Sequence, residues 1–335
     1  MQSVACVAYS SQFESALRVW AADCFVARLA RMRRLRDAAR FAHSARSDTP
    51  QVRYGKLAPV KSLIPNVLSI AGVDPSGGAG IVADVKAISA QRAYACAVVA
   101  ALTAQNTRGV TGVWAVDPAF VMRQIDTLYA DVRIDALKIG MIGQSAVIEA
   151  VADRLAAQQT PHRVLDPVMV AKSGDTLLEK SAIGALRETL LPLATVITPN
   201  LPEAGVLLES RPVETVKEMY RVAERLRELM PDSGARWVYL KGGHLPGEDA
   251  FDLLTDGDRM IELNVPRIAT KNTHGTGCTL SAALAALLPQ TADVPEAARQ
   301  AKAYLTESLR QADQLSVGAG HGPVHHFHAL WRPAA

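Results

Sequence analysis

The sequence predicts an α/β fold in which a mostly parallel sheet carries helices on both faces. From Pro65 onward, short apolar runs rich in β-branched residues alternate with segments of helical hydrophobic period. This alternation is typical of βαβ units. Glycine and polar residues follow each apolar run, and they are expected at the carboxyl edge of such a sheet, where ligands bind in open α/β folds.

Six runs are predicted to be strands, at 67–71, 97–102, 136–139, 164–166, 195–198 and 237–241. Helices are predicted between them at 80–91, 118–129, 145–158, 179–190 and 213–229. The order then changes, because Asp256, Gly257 and Asp258 separate two apolar runs in the manner of a hairpin turn. Those runs, at 250–255 and 260–265, are followed by two long predicted helices at 275–288 and 294–312.

The composition excludes a disordered or fibrous chain, because 49% of the 335 residues are hydrophobic and 21% are charged. The longest apolar stretch, 282–288, is far shorter than the ~20 residues that span a bilayer, so no membrane partner is expected. Residues 1–61 hold eleven Lys and Arg against four Asp and Glu. The remaining residues hold 25 Lys and Arg against 29 Asp and Glu. The basic balance therefore belongs to the N-terminal segment, and no nucleic-acid partner is expected.

Residues 1–65 are predicted to be a basic extension and linker, and residues 66–331 a single domain. Phe13, Leu17, Trp20 and Cys24 have helical spacing, and a basic run follows at 28–36. This pattern fits an organelle transit peptide or a membrane-surface helix. It also fits a solvated extension or a start codon upstream of the true one, which we favour.

The four cysteines lie far apart without CxxC spacing. They predict free thiols in a reducing compartment, and the protein is therefore expected in the cytoplasm. Three histidines, at 325, 326 and 328, stand close together near the C-terminal end. Because no spaced Cys or His partners accompany them, we expect them to pack in the tail and not to bind zinc.

The glycines at 77–80 follow the first predicted strand and open the first helix. Gly78, Gly80 and Ala83 match the G-x-G-x-x-A spacing of dinucleotide-binding loops. The acidic residue expected about 20 residues later is missing from the apolar run 98–102. The alternative is that these glycines let the backbone approach a small ligand closely.

The segment 272–279 (NTHGTGCT) predicts an anion site. Its glycines leave backbone N–H groups free, and the apolar helix that begins near Gly277 adds its positive end. Cys278 lies in the first turn of that helix, where a thiolate is favoured. Two alternatives are a small buried core cysteine and a hydrolase pair of Cys278 with His274; the second leaves the acidic and lysine-bearing loops unexplained.

Asp166, Asn200 and Glu203 predict a region for Mg²⁺ and a nucleotide, because Mg²⁺ prefers oxygen ligands, keeps waters and bridges to phosphates. The expected metal ligands are Asp166 and Glu203, acting through water. Glu203 has an alternative role at the start of the following helix. Lys241 follows the last parallel strand, where it would neutralise a transferring phosphoryl group or simply be a solvated lysine.

Seven segments in order carry a resemblance to a known family: AGVDPSGGAG at 71–80, AQNT at 104–107, KIGM at 138–141, DPVM at 166–169, TPNLPEA at 198–204, KGGH at 241–244 and HGTGCT at 274–279. With these motifs the chain resembles the hydroxymethylpyrimidine/phosphomethylpyrimidine kinases of thiamine biosynthesis. The resemblance runs from about residue 66 to 331, and residues 1–65 have no counterpart in it.

The resemblance implies a ribokinase-like three-layer α/β/α fold and two successive MgATP-dependent phosphorylations. The first acts on the hydroxymethyl group of 4-amino-5-hydroxymethyl-2-methylpyrimidine, and the second converts the monophosphate to the diphosphate. It implies that Gln105 reads the pyrimidine edge and that the ring pocket is lined by Gly72, Ala79, Met141 and Val168. It also implies an anion hole formed by Gly275, Thr276, Gly277 and Cys278.

Cys278 would then be the base and Lys241 would neutralise charge, although sugar kinases of the same superfamily carry an Asp at the position of Cys278. A homodimer is expected.

Two other functions stay open. One is a pyridoxal or pyridoxine kinase of the same superfamily, and the other is a non-catalytic pyrimidine-binding sensor, for which the retained glycines, lysine and cysteine would be superfluous.

Overall fold

The computed structural model describes residues 63–169, 180–232 and 234–331. The predicted N-terminal extension and its basic helix lie outside these ranges, apart from the last three residues of the extension. Glu179, with which one predicted helix begins, also lies outside them. Within the described ranges, no helix is long and apolar enough to cross a membrane.

Nine strands of the described residues form one sheet: β1 (Asn66–Val73), β2 (Tyr94–Asn106), β3 (Gly109–Ala115), β4 (Ala136–Ile139), β5 (His162–Leu165), β6 (Val196–Ile197), β7 (Trp237–Lys241), β8 (Asp249–Thr255) and β9 (Met260–Pro266). Their order across the sheet is β3-β2-β1-β4-β5-β6-β7-β8-β9. The six central strands, β2-β1-β4-β5-β6-β7, pair in parallel. The outer strands β3, β8 and β9 pair antiparallel, so the predicted mostly parallel sheet and the hairpin at 256–258 are confirmed.

The helices of the described residues are α1 (Gly80–Ala90), α2 (Pro118–Tyr129), α3 (Ser145–Ala156), α4 (Lys180–Ala185), α5 (Leu201–Leu207), α6 (Val216–Glu228), α7 (Thr276–Leu287) and α8 (Val294–Arg310). Two of them begin at capping boxes. Asn200 and Glu203 cap α5 in this way, and Thr215 and Glu218 cap α6. Each box satisfies backbone N–H groups that a helix start leaves without partners.

Three elements differ from the sequence prediction. β2 continues beyond the predicted end at Leu102 to Asn106, because β3, which was not predicted, pairs with its far half. β3 has no buried residue, so it lacks the apolar alternation by which strands are recognised. The helix predicted at 179–190 changes to a π-helical turn at Leu186–Leu190.

Two apolar layers cover the two faces of the sheet. On one face, Val67, Ala136 and Val164 pack against α7, whose residues from Thr279 to Leu287 are all buried. On the other face, Leu68 and its neighbours pack against α3 and α6. Each large apolar side chain buried in this way contributes about 1.5–3 kcal/mol. This packing fixes the first turn of α7 above the carboxyl ends of the central strands.

Candidate active site

A cleft of about 410 Å³ opens at the carboxyl ends of the parallel strands. It is lined by all the residues that the sequence predicted for the site: Gly72, Ala79, Gln105, Met141, Asp166, Val168, Asn200, Glu203, Lys241, Gly275, Thr276, Gly277 and Cys278. Their individual roles stay predictions. Because all of these residues line one cleft, they are close enough to one another for these roles.

A second cavity of about 280 Å³ shares Asn200, Lys241 and Gly277 with the first. Seven apolar residues also line it, from the hairpin strands, the segment just after them, α7 and α8, beside the charged Asp252, Arg267 and Lys302: Ala250, Val265, Pro266, Ile268, Leu280, Leu305 and Leu309. An elongated ligand with a flat apolar end can therefore extend from the cleft into this cavity.

At one end of the cleft, the backbones of Gly72 and Met141 are in contact. The N–H of Gly72 donates to the carbonyl of Met141 at 2.8 Å, and a Cβ on Gly72 would lie 2.7 Å from Met141 Cε. Gln105 reaches the same end from β2, where its Oε1 accepts from Thr103 Oγ1 at 3.1 Å. Its Nε2 lies 3.5 Å from Nε2 of His274. The amide is thus held at the cleft wall with a hydrogen-bonding edge available to a ring.

A hydrogen bond between two side chains, which sequence reasoning missed, joins the two glycine-rich segments. Nε2 of His274 lies 2.7 Å from Oδ2 of Asp74, and the same carboxylate accepts from the N–H groups of Ser76 and Ala79. Burial raises the pKa of Asp74, but the hydrogen bonds from His274 and Ser76 outweigh it, and the pKa lies below its usual value. Both residues lie in motifs that were identified in the sequence, at 71–80 and 272–279. No local sequence pattern, however, indicates that positions 200 residues apart form a pair.

The anion loop before α7 requires glycine at Gly275. Its φ of +76° lies in the left-handed region, and a Cβ there would lie 1.8 Å from the carbonyl oxygen of Gly78. Gly275, the N-cap residue of α7, has no side chain to cap the helix, and the first turn holds no acidic residue. The N–H groups at this helix start are therefore suited to an anionic ligand.

Lys241, whose side chain is 14% exposed, pairs with the buried Asp166 beside this loop. Nζ of Lys241 donates to Oδ1 of Asp166 at 2.9 Å, and Thr198 Oγ1 donates to the same oxygen. Burial lowers the pKa of Lys241, but Asp166 and Glu203 more than compensate and raise it. A Cβ on Gly277 would lie 3.2 Å from Nζ, so the ammonium faces the helix start and is not a solvated strand-end lysine.

Glu203 has the helix-start role that the sequence left open, and it also lines the cleft. Its Oε2 accepts from the N–H of Asn200 at 2.8 Å and lies 3.9 Å from Nζ of Lys241. Burial raises the pKa of Glu203 to about 7. The residue therefore caps α5 and also faces the cleft.

The carboxylates of Asp166 and Glu203 fit a hydrated Mg²⁺. Ser281 Oγ donates to Oδ2, the second oxygen of Asp166, at 3.2 Å. Both oxygens of this carboxylate therefore accept hydrogen bonds from protein groups. In the described part of the chain, no three or more His, Cys, Asp or Glu are grouped to enclose a metal ion. Such oxygens suit Mg²⁺ that keeps its waters and bridges to phosphates.

The predicted preference of Cys278 for the thiolate is wrong. Burial raises the pKa of this thiol to about 11, and Lys138 and a hydrogen bond from the N–H of Gly80 offset only part of this increase. Desolvation of a charged sulfur outweighs the field of one helix terminus. A thiolate at Cys278 therefore needs further stabilisation.

The tail histidines pack against α7 and α8. His326 is 4% exposed, its Nε2 lies 3.1 Å from Thr279 Oγ1, and its carbonyl accepts from Tyr304 Oη. The carbonyl of Gly322 accepts from the N–H of His274 at 3.0 Å. The tail thereby supports the anion loop from behind.

The three-layer fold, the helix start with its glycine loop, and the lysine and buried carboxylates beside it define a phosphotransferase with a ribokinase-like fold. The family model for phosphomethylpyrimidine kinase matches residues 74–325. The chain belongs to the phosphomethylpyrimidine kinase family.

Individual relatives agree with this assignment. The chain is 52% identical over 266 residues to the hydroxymethylpyrimidine/phosphomethylpyrimidine kinase of Escherichia coli, and the match covers 79% of this chain and 98% of that protein. It is 45% identical to a thiamine biosynthesis bifunctional protein of Geobacter sulfurreducens, over 78% of this chain and 52% of that protein. The solved ADP complex of Bacillus subtilis pyridoxal kinase has a TM-score of 0.73 at 35% identity, covering 80% of this chain and 99% of that chain.

Proposed function

We propose that the protein is an ATP-dependent kinase that phosphorylates 4-amino-5-hydroxymethyl-2-methylpyrimidine to its monophosphate and then to the diphosphate, for thiamine diphosphate synthesis. One observation carries this proposal. The Gln105 amide and the anion loop with Lys241 line the same cleft, so a small ring and a phosphate tail can meet there. Family membership and the names of the relatives support the same substrate.

The ring binds at the Gln105 end of the cleft. The amide of Gln105 offers both a donor and an acceptor, which match the amino group and adjacent ring nitrogen of an aminopyrimidine. Gly72, Ala79, Met141 and Val168 line the same cleft. A Cβ at Gly72 would crowd Met141 Cε at 2.7 Å, so glycine at this position keeps room for a flat ring.

ATP binds at the Lys241 end. Its phosphates lie at the anion loop, near Thr276, Asn200 and Lys241, and its base extends into the second cavity. Asp166 and Glu203 hold Mg²⁺ through water. The metal ion supplies neutralisation of phosphate charge. The nucleotide complex of a fold relative supports the use of ATP.

Transfer needs a base and stabilisation of charge. The thiolate of Cys278 accepts the hydroxyl proton while the substrate oxygen forms its bond to the γ-phosphorus. The bond from that phosphorus to the bridging oxygen breaks, and ADP leaves with its electron pair. Backbone N–H groups at Gly275 and Gly277, together with Lys241, stabilise the transferred group. The second transfer uses the monophosphate oxygen as nucleophile.

The finer organisation follows from the same proposal. Residues 66–331 form the single kinase domain, and residues 1–65 lie outside it. The kinase works in the cytoplasm, where Cys278 and Cys96 stay reduced as free thiols. It forms a homodimer through β2 and β3, which expose Leu102, Val113 and Trp114 at 48%, 50% and 74%. A monomer in light scattering at micromolar concentration would contradict this surface.

Pyridoxal kinase activity is the second candidate, because a pyridoxal kinase shares this fold at 35% identity. Comparing kcat/KM for the pyrimidine alcohol and for pyridoxal, with MgATP in excess, tests the proposal. We expect a clear preference for the pyrimidine, since Gln105 can pair with its amino group. A larger kcat/KM for pyridoxal would assign the chain to the second activity.

A further inference from the structure

The end of the hairpin formed by β2 and β3 projects beyond the neighbouring strand of the sheet. β1 pairs with β2 as far as Leu102. From Thr103 to Asn106, the strand of the described chain that pairs with β2 is β3, which has no buried residue. A hairpin of two strands is only marginally stable by itself. This end of the hairpin therefore needs an attachment to the rest of the domain.

Gln105 lies on the projecting part of β2. The register between the two strands shifts between Ala104 and Gln105, so the pairing is irregular at the residue that faces the cleft. Thr107 and Arg108 form the turn that follows. Because only Asn106 separates Gln105 from this turn, a displacement of the turn also displaces the Gln105 amide.

Residues 318–322 (GAGHG), which we call the glycine strap, contact this turn. The carbonyl of Thr107 accepts from the N–H of His321 at 2.9 Å, and Thr107 Oγ1 accepts from the N–H of Gly320 at 3.1 Å. A Cβ on Gly320 would lie 2.0 Å from the Thr107 carbonyl oxygen, and a Cβ on Gly318 would lie 2.2 Å from Thr107 Oγ1. Glycine at these two positions is therefore what lets the strap lie directly against the turn.

The other end of the glycine strap contacts the anion loop. The carbonyl of Gly322 accepts from the N–H of His274, and His274 pairs with Pro323 in a parallel bridge. A Cβ on Gly322 would lie 2.2 Å from Oδ1 of Asn272. The strap thus connects the turn next to Gln105 with the residue directly before Gly275.

We propose that Thr107 is a positioning residue, through which the glycine strap holds the Gln105 amide at a fixed distance from the anion loop. Thr107 lies outside the lining of the cleft, so it acts through Gln105. This inference rests on the proposed binding of the pyrimidine ring by Gln105. Phosphoryl transfer depends mainly on positioning, and a displacement of about 1 Å can reduce its rate by about 10²-fold.

The affinity of the full-length chain for the pyrimidine alcohol tests the inference without catalysis. Calorimetric titration with 4-amino-5-hydroxymethyl-2-methylpyrimidine measures its Kd. Thr107→Val removes the oxygen that accepts from Gly320 at nearly constant volume, so this Kd should rise by about threefold or more. Thr107→Ser keeps the oxygen and should stay within about twofold of the wild type. The Kd for MgADP should change by less than about twofold in both variants, because the strap still holds the anion loop.

Thr111→Val is the matched control within the same hairpin. Thr111 Oγ1 donates to the carbonyl of Ala104 at 3.0 Å, and its loss leaves both hydrogen bonds between the strap and the turn in place. The Kd for the pyrimidine alcohol should therefore stay within about twofold of the wild type.

A double-mutant cycle separates positioning from a merely structural role. Thr107→Val should change the Kd of the Gln105→Ala variant by less than about twofold, because Thr107 acts through the amide that this variant lacks. A structural role would instead reduce the affinity by the same factor in both backgrounds.

Hydrogen exchange of the ligand-free chain tests the attachment itself. Gly320→Ala places a Cβ against the Thr107 carbonyl, and it should accelerate exchange by about tenfold or more in peptides that cover 104–110 and 318–323. Gly184→Ala is the control, since a Cβ there meets nothing within 4 Å, and it should leave both peptides unchanged. If Gly320→Ala does not fold by circular dichroism, Thr107→Val replaces it and should accelerate exchange in the same peptides.

Four results would each overturn the inference: wild-type pyrimidine affinity in Thr107→Val, an equal loss in Thr107→Ser, equal factors in both backgrounds of the cycle, or unchanged exchange in the strap variant. A wild-type chain that binds no pyrimidine alcohol, although its exchange responds to the strap variant, would instead refute the proposed function.

Discussion

Gly275 and Gly78 pack backbone against backbone, and a Cβ on Gly275 would lie 1.8 Å from the carbonyl oxygen of Gly78. The contact joins the loop before α1 to the loop before α7. Asp74 and His274, each a few residues away, pair at 2.7 Å across the same junction. The ring end and the phosphate end of the cleft are therefore built as one unit.

Gly275→Ala should disrupt this unit. The left-handed backbone alone costs an alanine about 1–2 kcal/mol, and the clash with Gly78 adds to this cost, so the free energy of unfolding should fall by more than about 1 kcal/mol. Urea denaturation measures it. Gly184→Ala is the control, since a Cβ there meets nothing within 4 Å. Equal stability of the two variants would contradict the packing described.

Cys278→Ala should reduce kcat by about 10²–10⁴-fold with little change in KM, because it removes the proton acceptor and leaves the binding groups in place. Steady-state kinetics with the pyrimidine alcohol measures both constants. Cys96→Ala removes a buried thiol of the opposite core layer and should leave kcat unchanged. Wild-type turnover in Cys278→Ala would exclude the base role.

Gln105→Ala should raise KM for the pyrimidine by about tenfold or more, since an unpaired polar edge of a buried ring costs about 1–3 kcal/mol. The KM for ATP should change little. Gln311→Ala, at the end of α8 and hydrogen-bonded to Glu307, is the control for the loss of an amide. Normal pyrimidine affinity in a calorimetric titration of Gln105→Ala would refute ring recognition by this residue.

The buried His326 should make the fold sensitive to acid. Burial, together with the nearby charges of Lys86 and His325, lowers the pKa of His326 to about 3. The unfolded chain binds a proton at this residue below about pH 6.5, whereas the folded chain stays neutral there until about pH 3. Its contribution to stability is therefore complete above about pH 6.5 and is lost as the pH falls from there toward about 3.

Urea unfolding between about pH 7 and pH 5 measures this effect before most carboxylates titrate. His326 should contribute a slope of up to about 1.4 kcal/mol per pH unit, and His326→Gln should remove that part. The same substitution at the exposed His321 serves as the control. An identical pH dependence in His326→Gln and the wild-type chain would show that His326 does not stay neutral in the fold.

The parallel core and the site positions could be predicted because they depend on local patterns. Buried strands such as β6 are continuous apolar runs with polar residues shortly after them, and parallel strands bring those residues to one edge. β3 could not be predicted, because Trp114 and its neighbours stay exposed and carry no periodic signal.

Energetics and long-range pairs were not predictable from spacing. The position of Cys278 in a first helical turn indicated a thiolate, but its pKa depends on how completely the fold buries the sulfur. The pair of Asp74 and His274, and the pair of Asp84 and Lys138, each join distant segments. Only the folded backbone brings these partners together.

The most direct test is product analysis with the wild-type chain, 4-amino-5-hydroxymethyl-2-methylpyrimidine and MgATP. Ion-exchange chromatography and mass spectrometry should detect the monophosphate first and the diphosphate later, with one ADP released for each phosphoryl group transferred. ATP consumption without any phosphorylated pyrimidine, or an unchanged pyrimidine under conditions in which pyridoxal is phosphorylated, would contradict the proposed kinase.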